Sequence, residues 1–482
     1  MRSITFLGLL VGIFGIVTCS PAQDQYPDIS DPSNPRTVVQ FKLNRKPIVP
    51  FTSLLDSASS TSIPLTRTYT GHSYTAPVSI GTSSTGGDGP TLDLLIDTGS
   101  DMVVVTSTSC TAPECQQVQD RYDCSASLTC EPAVNLLTGS PRWVQGYGDG
   151  TLANGTLVED TLRFISSPSS PLPYQSTTRP PQQQQVVIPH QAILVVDQPG
   201  LGLFKSYGPG VDGILGLNLQ SPVINRTVIQ NLQALEDPSV SLSSSSSFST
   251  PPSSSDMGFM SLWLGTSLEP GQGGGLLLNA VDKTRFQGPI QWVNRGPSPY
   301  DWSIPLDRGI LLVNSTLSDD AILNDSPSED ISSVVTNPGA GETSRLTTIA
   351  NKAPFLVPET DYSFAVLDSG SDGIYLLQFM YDALYPQIPG SKQLDNGYWR
   401  VPCEGSLDLV LGIQGQIYRV PYEEWVKKPS ETSGDPPGLC QAKVFGSSPG
   451  PILLGTTFLQ RVYTIFDFSH PGQERVGLAA LA

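Results

Sequence analysis

Two copies of one short motif constrain the fold of this chain more than any other feature. The first is LLIDTGSDMVVV, residues 94–105, and the second is FAVLDSGSDGIYLL, residues 364–377. In each copy an apolar run, typical of a strand buried on both faces, ends in an aspartate, Asp97 or Asp368. A glycine two residues later, Gly99 or Gly370, allows the chain to turn sharply. Each copy therefore predicts a carboxylate at the end of a buried strand.

A carboxylate in that position is costly unless it is hydrogen-bonded or has a function. Short hydroxyl donors suited to it follow each acid: Thr98, Ser100, Ser369 and Ser371. Asp, Ser and Gly are also ordinary turn residues. A single match to the tetrapeptide D-[TS]-G-[ST], which both copies contain, arises by chance in about one chain of this size in twenty. Two matches, each behind an apolar strand, favour two similar lobes that present one acid each to a shared cleft.

The length and charge of the chain narrow the classes of function. With 482 residues, the chain exceeds one compact core, so we expect at least two. It carries 44 acidic residues, 26 basic residues and 3 histidines, for a formal charge of −18. This balance argues against nucleic acid or an anionic membrane as a partner. It is compatible with acidic working conditions.

The N-terminal region is typical of a secreted protein. Residues 1–19 contain one early arginine and an apolar run too short to span a membrane, which predicts a signal peptide. No later segment is long and apolar enough for a span, and the C-terminal RVGLAALA is too short for a lipid-anchor signal. We therefore expect a secreted protein without a membrane anchor, with an acidic vacuole as the alternative location.

Residues 20–66 have two interpretations. The segment contains Pro, Ser and Asp, with a basic patch at Lys42, Arg45 and Lys46. It is either a disordered linker or a propeptide whose cations cover an acidic cleft; the secretory context favours the propeptide.

The chain has seven cysteines, of which Cys19 would leave with the signal peptide. An even number in a secreted chain predicts disulfides. Zinc is the alternative, but there is no CxxC pair and the histidines lie far away in the sequence. The remaining cysteines are Cys110, Cys115, Cys124, Cys130, Cys403 and Cys440.

Three further segments have distinctive patterns. Residues 143–164, WVQGYGDGTLANGTLVEDTLRF, place alternating glycines around Tyr147 and Asp149, as at the tip of a β-hairpin. VDGILGLNLQ, residues 211–220, and PILLGTTFLQRVYTIFDF, residues 451–468, each carry an apolar pair followed by glycine. The second is expected to continue into a helical turn and a strand.

Together these segments resemble the pepsin-like aspartic endopeptidases, from about Ser73 to the C-terminus. The resemblance implies an all-β, bilobal fold, with an N-terminal lobe at residues 67–265, a C-terminal lobe at 266–482 and a cleft between them. It implies that Asp97 and Asp368 form a catalytic dyad that activates one water, without a metal or other cofactor. The residues expected to support the dyad are Thr98, Gly99, Ser100, Ser369, Gly370 and Ser371.

The resemblance also assigns the hairpin at residues 143–164 as a flap, with Tyr147, Gly148 and Asp149 contacting the substrate. Asp149 resembles the flap acid of some fungal relatives that accept lysine before the cleaved bond. One position departs from the family pattern. Family members usually have a tryptophan whose indole N–H steadies the flap tyrosine, and this chain has Val104 there.

The family commonly has a small disulfide loop after the first acid and a larger one in the second lobe. Cys110–Cys115 and Cys403–Cys440 fit those places, and Cys124–Cys130 would be an additional bridge. A nested arrangement, Cys110–Cys130 with Cys115–Cys124, is equally allowed. Four N-x-[ST] sites are candidates for glycosylation: Asn154, Asn225, Asn314 and Asn324.

The expected function is that of a secreted, monomeric endopeptidase that cleaves proteins or peptides at acidic pH, prefers hydrophobic residues and is inhibited by pepstatin-like compounds. The alternative is a binding or inhibitor protein on the same fold. Such relatives typically lack an acid or the flap tyrosine, and this chain keeps both. Nothing beyond a pair of acids supports a glycosidase, and no G-x-S-x-G motif supports a serine hydrolase.

Overall fold

A computed structural model describes residues 61–68, 73–166, 186–199, 210–235, 258–266, 271–306, 310–316, 318–319, 364–395, 397–427, 436–447 and 450–482. The predicted signal peptide and residues 20–60 of the predicted propeptide lie outside these residues. All described residues fall within the unit Phe51–Ala482. None of the helices in this described part is long and apolar enough to cross a membrane.

Most of the regular structure is β-strand. The strands before the second motif are β1 (Thr61–Arg67), β2 (Tyr74–Ile80), β3 (Thr91–Asp97), β4 (Val103–Thr106), β5 (Glu131–Pro132), β6 (Arg142–Gly146), β7 (Leu152–Phe164), β8 (Val187–Pro199), β9 (Gly213–Gly216), β10 (Phe259–Leu264), β11 (Gly274–Leu278), β12 (Phe286–Asn294), β13 (Ser303–Pro305) and β14 (Ile310–Asn314).

The strands from the second motif onward are β15 (Phe364–Leu367), β16 (Ile374–Leu377), β17 (Lys392–Gln393), β18 (Trp399–Pro402), β19 (Leu407–Ile413), β20 (Gln416–Val420), β21 (Val426–Lys427), β22 (Leu439–Ala442), β23 (Val444–Ser447), β24 (Ile452–Leu454), β25 (Val462–Asp467) and β26 (Arg475–Leu481). The α-helices are short: α1 (Val228–Ala234), α2 (Gln378–Leu384), α3 (Tyr422–Trp425) and α4 (Thr456–Leu459).

The first lobe is a ring of strands around an apolar core. Its strands follow the order β2-β3-β9-β4-β8-β7, and β7 also pairs with β2, which closes the ring. The apolar run before Asp97 is almost completely buried, as are all four residues of β4. Closure leaves no free edge on these strands.

The two acids follow strands with the same local topology. β3, which ends at Asp97, pairs parallel with β9, and β9 pairs antiparallel with β4. In the second lobe β15 pairs parallel with β24, and β24 pairs antiparallel with β16. Gly216 ends β9, and Gly455 directly follows β24. A Cβ atom at either position would collide with the backbone of the turn after the acid of the same lobe. The prediction of two related β-rich lobes is confirmed.

One sheet is common to both lobes. Its order β12-β26-β25-β10-β11-β1 continues through β2 into the first lobe. Its strands come from the start, the middle and the end of the described chain. The predicted lobe boundary at residues 265/266 falls between β10 and β11, which pair with each other. At this boundary the chain therefore crosses a sheet that the two lobes share.

The second lobe contains three smaller sheets, in the orders β13-β15-β24-β16-β23, β14-β19-β20 and β17-β18-β22-β21. The predicted helical turn and strand after Gly455 are α4 and β25. Three disulfides join Cys110 to Cys115, Cys124 to Cys130 and Cys403 to Cys440. This is the sequential pairing, so the nested alternative is not formed.

The candidate glycosylation sites differ in exposure. Asn225 is exposed, whereas Asn154 and Asn314 are half-buried. The amide oxygen of Asn154 also accepts a hydrogen bond from Arg142 Nη2 at 2.8 Å. Asn324 lies outside the described residues. Among the described candidates, Asn225 is therefore the most accessible.

Strand β1 is built into the shared sheet between β11 and β2. Its alternating side chains Ile63 and Leu65 are fully buried. The predicted end of the propeptide at residue 66 falls inside this strand. Cleavage there would remove both side chains from the core and expose an edge of β11.

We expect Leu65→Ala to lower the free energy of unfolding by about 2–5 kcal/mol, because it leaves a cavity in the core. The same substitution at Leu128, whose side chain is 65% exposed, should change it by about 0.5 kcal/mol or less. Denaturant unfolding of the two variants compares them. Equal, small effects would mean that β1 is not part of the folded unit.

Candidate active site

Asp97 and Asp368 come together at the floor of the cleft. Asp97 ends β3 and Asp368 directly follows β15, and each residue is only 7% exposed. Their carboxyl groups lie within hydrogen-bonding reach of each other. The structure thus brings together two acids that are remote in the sequence.

The glycine after each acid makes this approach possible. A Cβ atom at Gly99 would lie 2.5 Å from the carboxyl carbon of Asp368. A Cβ at Gly370 would overlap the carboxyl group of Asp97 in the same way. Each carboxyl therefore rests against the bare backbone of the opposite motif, and any larger residue would push the acids apart.

The hydrogen bonds to the two carboxyls are only partly symmetrical. The N–H of Gly99 donates to Asp97 Oδ1, and the N–H of Gly370 donates to Asp368 Oδ1, both at 2.9 Å. The Ser371 hydroxyl donates to Asp368 Oδ2 at 2.6 Å. The Ser100 hydroxyl is close enough to lower the pKa of Asp97, but its buried Oγ makes no hydrogen bond of normal geometry. The outer oxygen of Asp368 is therefore held by a hydrogen bond from its own motif, whereas Asp97 has no such bond from Ser100 among the described residues.

Thr98 and Ser369 do not donate to the carboxylates, contrary to the sequence prediction. Thr98 Oγ1 donates to the carbonyl of Leu367 at 2.7 Å and accepts from the N–H of Ser369 at 2.9 Å. Ser369 Oγ donates to the carbonyl of Ile96 at 2.9 Å and accepts from the N–H of Thr98 at 3.1 Å. We call these four bonds the cross-lobe lock. They position the acids by holding the two strand ends together.

The electrostatics of the pair favour retention of a proton. Burial raises the pKa of Asp97 well above its ordinary value, and the negative charge of Asp368 raises it further. The nearby Ser100 hydroxyl and the hydrogen bond from the Gly99 N–H lower the pKa of Asp97, but these effects are weaker. The physical cause is that two adjacent carboxylates in a poorly solvated site cannot both ionise readily.

The predicted flap is a hairpin of β6 and β7. At its tip the N–H of Tyr147 donates to the carbonyl of Thr151 and the N–H of Gly150 to the carbonyl of Tyr147, both at 3.0 Å. A Cβ on Gly148 would meet open space. Asp149 is exposed, and its Oδ1 accepts from the N–H and hydroxyl of Thr151 at 2.9 and 2.7 Å. One oxygen of Asp149 therefore shapes the turn.

Val104, at the position of the usual tryptophan, is fully buried in an apolar cluster of the first lobe. Tyr147 and Trp143, both from the flap hairpin, pack against this cluster. The indole N–H of Trp143 donates to Gln145 Oε1 at 3.1 Å, within the same strand. In this chain an aromatic residue of the flap itself thus adds to the packing beneath Tyr147.

Two residues near the site escaped the sequence interpretation. Tyr375 lies on β16, and burial, followed by the charges of Asp372, Asp368 and Asp149, raises its pKa to about 12. The flap acid is therefore close enough to act on the second lobe. Trp302 is fully buried and its indole N–H donates to the carbonyl of Leu217 at 2.9 Å, from one lobe to the other. The only sequence signal for Tyr375 is its place in the second motif.

The comparison with protein families gives one match. The family described as eukaryotic aspartyl protease matches residues 73–332 and 343–481, which is most of the chain. The match includes both acids, the flap hairpin and the final strands. It agrees with the resemblance identified from the motifs.

Individual relatives are distant. "Probable aspartic-type endopeptidase CTSD" of Arthroderma benhamiae is 23% identical over 82% of this chain and 59% of its own length. "Embryonic pepsinogen" of Gallus gallus is 26% identical over 83% of this chain and 79% of its own. "Rhizopuspepsin" of Rhizopus chinensis is 25% identical over 56% of each. The chain thus spans about three fifths of the length of the Arthroderma relative.

We expect Thr98→Val to lower the free energy of unfolding by about 2–5 kcal/mol, because the Leu367 carbonyl and the Ser369 N–H lose their buried partner. Thr106→Val is the matched control, since the buried Thr106 hydroxyl makes no hydrogen bond; it should be neutral or stabilising. The double variant Thr98→Val with Ser369→Ala should lose less free energy of unfolding than the two single variants lose together. Equal stability of the two valine variants would disprove the lock.

We expect Asp97→Asn to be more stable than the wild type near neutral pH and similar to it near pH 3. The folded chain retains a proton that the unfolded chain releases above the ordinary value of 3.8. The free energy of unfolding of the wild type therefore falls as the pH rises above 3.8. A difference of about 1 kcal/mol or more is expected at pH 7. Thermal unfolding of both proteins from pH 3 to 7 measures it; a pH-independent difference would contradict the assignment.

Proposed function

Because the chain belongs to the eukaryotic aspartyl protease family, we propose that it is an aspartic endopeptidase, with Asp97 and Asp368 as its catalytic dyad. The observation that carries the proposal is the contact between the two carboxyl groups at the floor of the cleft. An inactive binding protein on the same fold would have no need to retain a buried, mutually repelling pair.

The proposed chemistry follows from one shared proton, as is established for aspartic proteases as a class. The ionised carboxyl takes a proton from a water while the water oxygen bonds to the peptide carbonyl carbon. The protonated carboxyl gives its proton to the carbonyl oxygen. The carboxyl that took the proton from the water then gives it to the amide nitrogen, and the C–N bond breaks. The other carboxyl takes a proton back from a hydroxyl of the tetrahedral intermediate, and no covalent bond to the protein forms. Activity is expected at acidic pH, where the pair holds one proton, and should be lost once the pH is high enough to remove it.

Substrate binding is assigned to the flap and the cleft between the lobes. Tyr147, Gly148 and Asp149 at the flap tip would cover an extended peptide and exclude water from the reacting carbonyl. Apolar pockets in a cleft between two β-rich lobes would favour hydrophobic residues beside the cleaved bond. The oxygen of Asp149 that does not cap the turn is available for a lysine at the flap side.

We propose that the protein is secreted through its N-terminal signal and matured by removal of the propeptide. The burial of Ile63 and Leu65 supports a cleavage before Thr61, rather than after residue 66. A mature chain that begins there retains β1 and the whole shared sheet. N-terminal sequencing of the active species would locate the cleavage.

The purified, processed protein is expected to digest denatured haemoglobin at pH 3–5, with complete inhibition by pepstatin. Asp97→Asn and Asp368→Asn should each lower kcat/KM by about a thousandfold or more, because neither acid can replace the other. The matched control is Asp88→Asn, at an acid whose side chain is 54% exposed and pairs with Arg163 at 3.2 Å.

Two results would contradict the proposal. Digestion that persists in both dyad variants would assign the activity to other residues. A wild-type protein that cleaves no protein or peptide at any acidic pH would favour the binding or inhibitor function.

A further inference from the structure

A cavity of about 200 Å³ lies beside the strand that leads to Asp368. Its apolar walls include Phe364, Val366 and Leu377, and its polar walls include Asp301 and Ser303. This volume is far larger than the roughly 30 Å³ that one water occupies in the liquid. The cavity can therefore accept a side chain from a bound molecule.

The cavity is on the same face of β15 as the catalytic carboxyl. Val366 precedes Asp368 by two residues, which places their side chains on one face, about 7 Å apart along the strand. Ser303 pairs with Val366, so its side chain shares that face. Ala365 and Leu367 point to the opposite face, where both are fully buried in the core.

The segment that carries Asp301 also reaches the first lobe near Asp97. The carbonyl of Tyr300 accepts from the N–H of Leu219 at 3.2 Å. The indole N–H of Trp302, two residues after Tyr300, donates to the carbonyl of Leu217. The N–H of Leu217 in turn donates to the carbonyl of Asp97 at 2.8 Å. Asp301 therefore lies on a segment that is hydrogen-bonded to the strand end beside Asp97.

Two polar atoms at the cavity, Asp301 Oδ1 and Ser303 Oγ, lack a hydrogen-bond partner within the described residues. Asp301 Oδ2 accepts from the Ser298 hydroxyl at 2.8 Å. Asp301 Oδ1 and Ser303 Oγ are buried and have no hydrogen-bond partner within the described part of the chain, and Ser303 is only 4% exposed. Buried polar atoms without partners are unfavourable. No cationic residue lines the cavity, so a donor has to enter from outside.

We propose that Asp301 and Ser303 form a subsite that selects a lysine or arginine side chain of the substrate, within a few residues of the cleaved bond. The inference rests on the proposed peptidase function. The aliphatic stem of the basic side chain would lie along Phe364, Val366 and Leu377, and its cationic end would donate to Asp301 Oδ1 and Ser303 Oγ. This subsite is distinct from the exposed flap acid Asp149, which belongs to the first lobe.

The test begins with a peptide-library digest by the processed wild-type protein, which maps the preferred residue at each position around the cut. Pairs of peptides are then made with lysine or norleucine at the mapped position, so that they differ only in the charged end. We expect kcat/KM for the lysine peptide to exceed that for the norleucine peptide at least tenfold. In Asp301→Asn the ratio should fall to near one.

Control variants separate this subsite from other acids. Asp88→Asn, at an exposed acid that pairs with Arg163, should keep the wild-type ratio at the mapped position. A ratio that falls in Asp149→Ser and stays full in Asp301→Asn would assign the preference to the flap acid. If Asp301→Asn does not fold, Ser303→Ala replaces it and should lower the ratio at least threefold.

Three outcomes would overturn the inference. A wild-type ratio near one at every position would show that no basic subsite exists. A full ratio in a folded Asp301→Asn variant would assign the preference to another residue. Failure of the wild type to cleave any peptide would overturn the proposed function, and the subsite with it.

Discussion

Four buried hydrogen bonds between Thr98, Ser369 and the facing strands hold the floor of the cleft. They act against a repulsive force, because the carboxyl groups that they bring into contact favour separation when both are ionised. The hydroxyl of each residue donates to a backbone carbonyl of the other lobe and accepts from a backbone N–H of that lobe. The strand ends are thereby fixed, and the acids at those ends have no freedom to move apart.

The shared sheet supports the same geometry from outside the cleft. It joins β1 from the start of the described chain, β10 to β12 from its middle and β25 and β26 from its end. The lobes are therefore connected by continuous backbone pairing as well as by the cross-lobe lock. Trp302 adds a buried hydrogen bond between the same two parts of the molecule. Displacement of any of these strands would loosen the contact between the acids.

Within this symmetrical frame the two halves differ in detail. Ser371 donates to the outer oxygen of Asp368, whereas Ser100 makes no such bond to Asp97. The carboxyl of Asp368 is therefore held by one more hydrogen bond from its own motif than the carboxyl of Asp97. The proposed substrate side is also unequal, since the first lobe would supply the flap with Asp149 and the second lobe would supply Asp301 and Tyr375. Duplication of the fold has thus produced one site with two different walls.

Local patterns in the sequence were sufficient for the fold class, the two acids, the flap hairpin and the disulfide candidates, because each depends on residues close together in the chain. An apolar run that ends in Asp and Gly specifies a strand and its turn wherever the rest of the molecule lies. The partners of Thr98 and Ser369, the insertion of β1 between β11 and β2, and the position of Asp301 beside Val366 depend on contacts between segments far apart in sequence. Such contacts are decided by how the lobes pack against each other. Nothing in the local sequence shows whether a hydroxyl of the motif donates to the adjacent carboxylate or to a carbonyl of the other lobe.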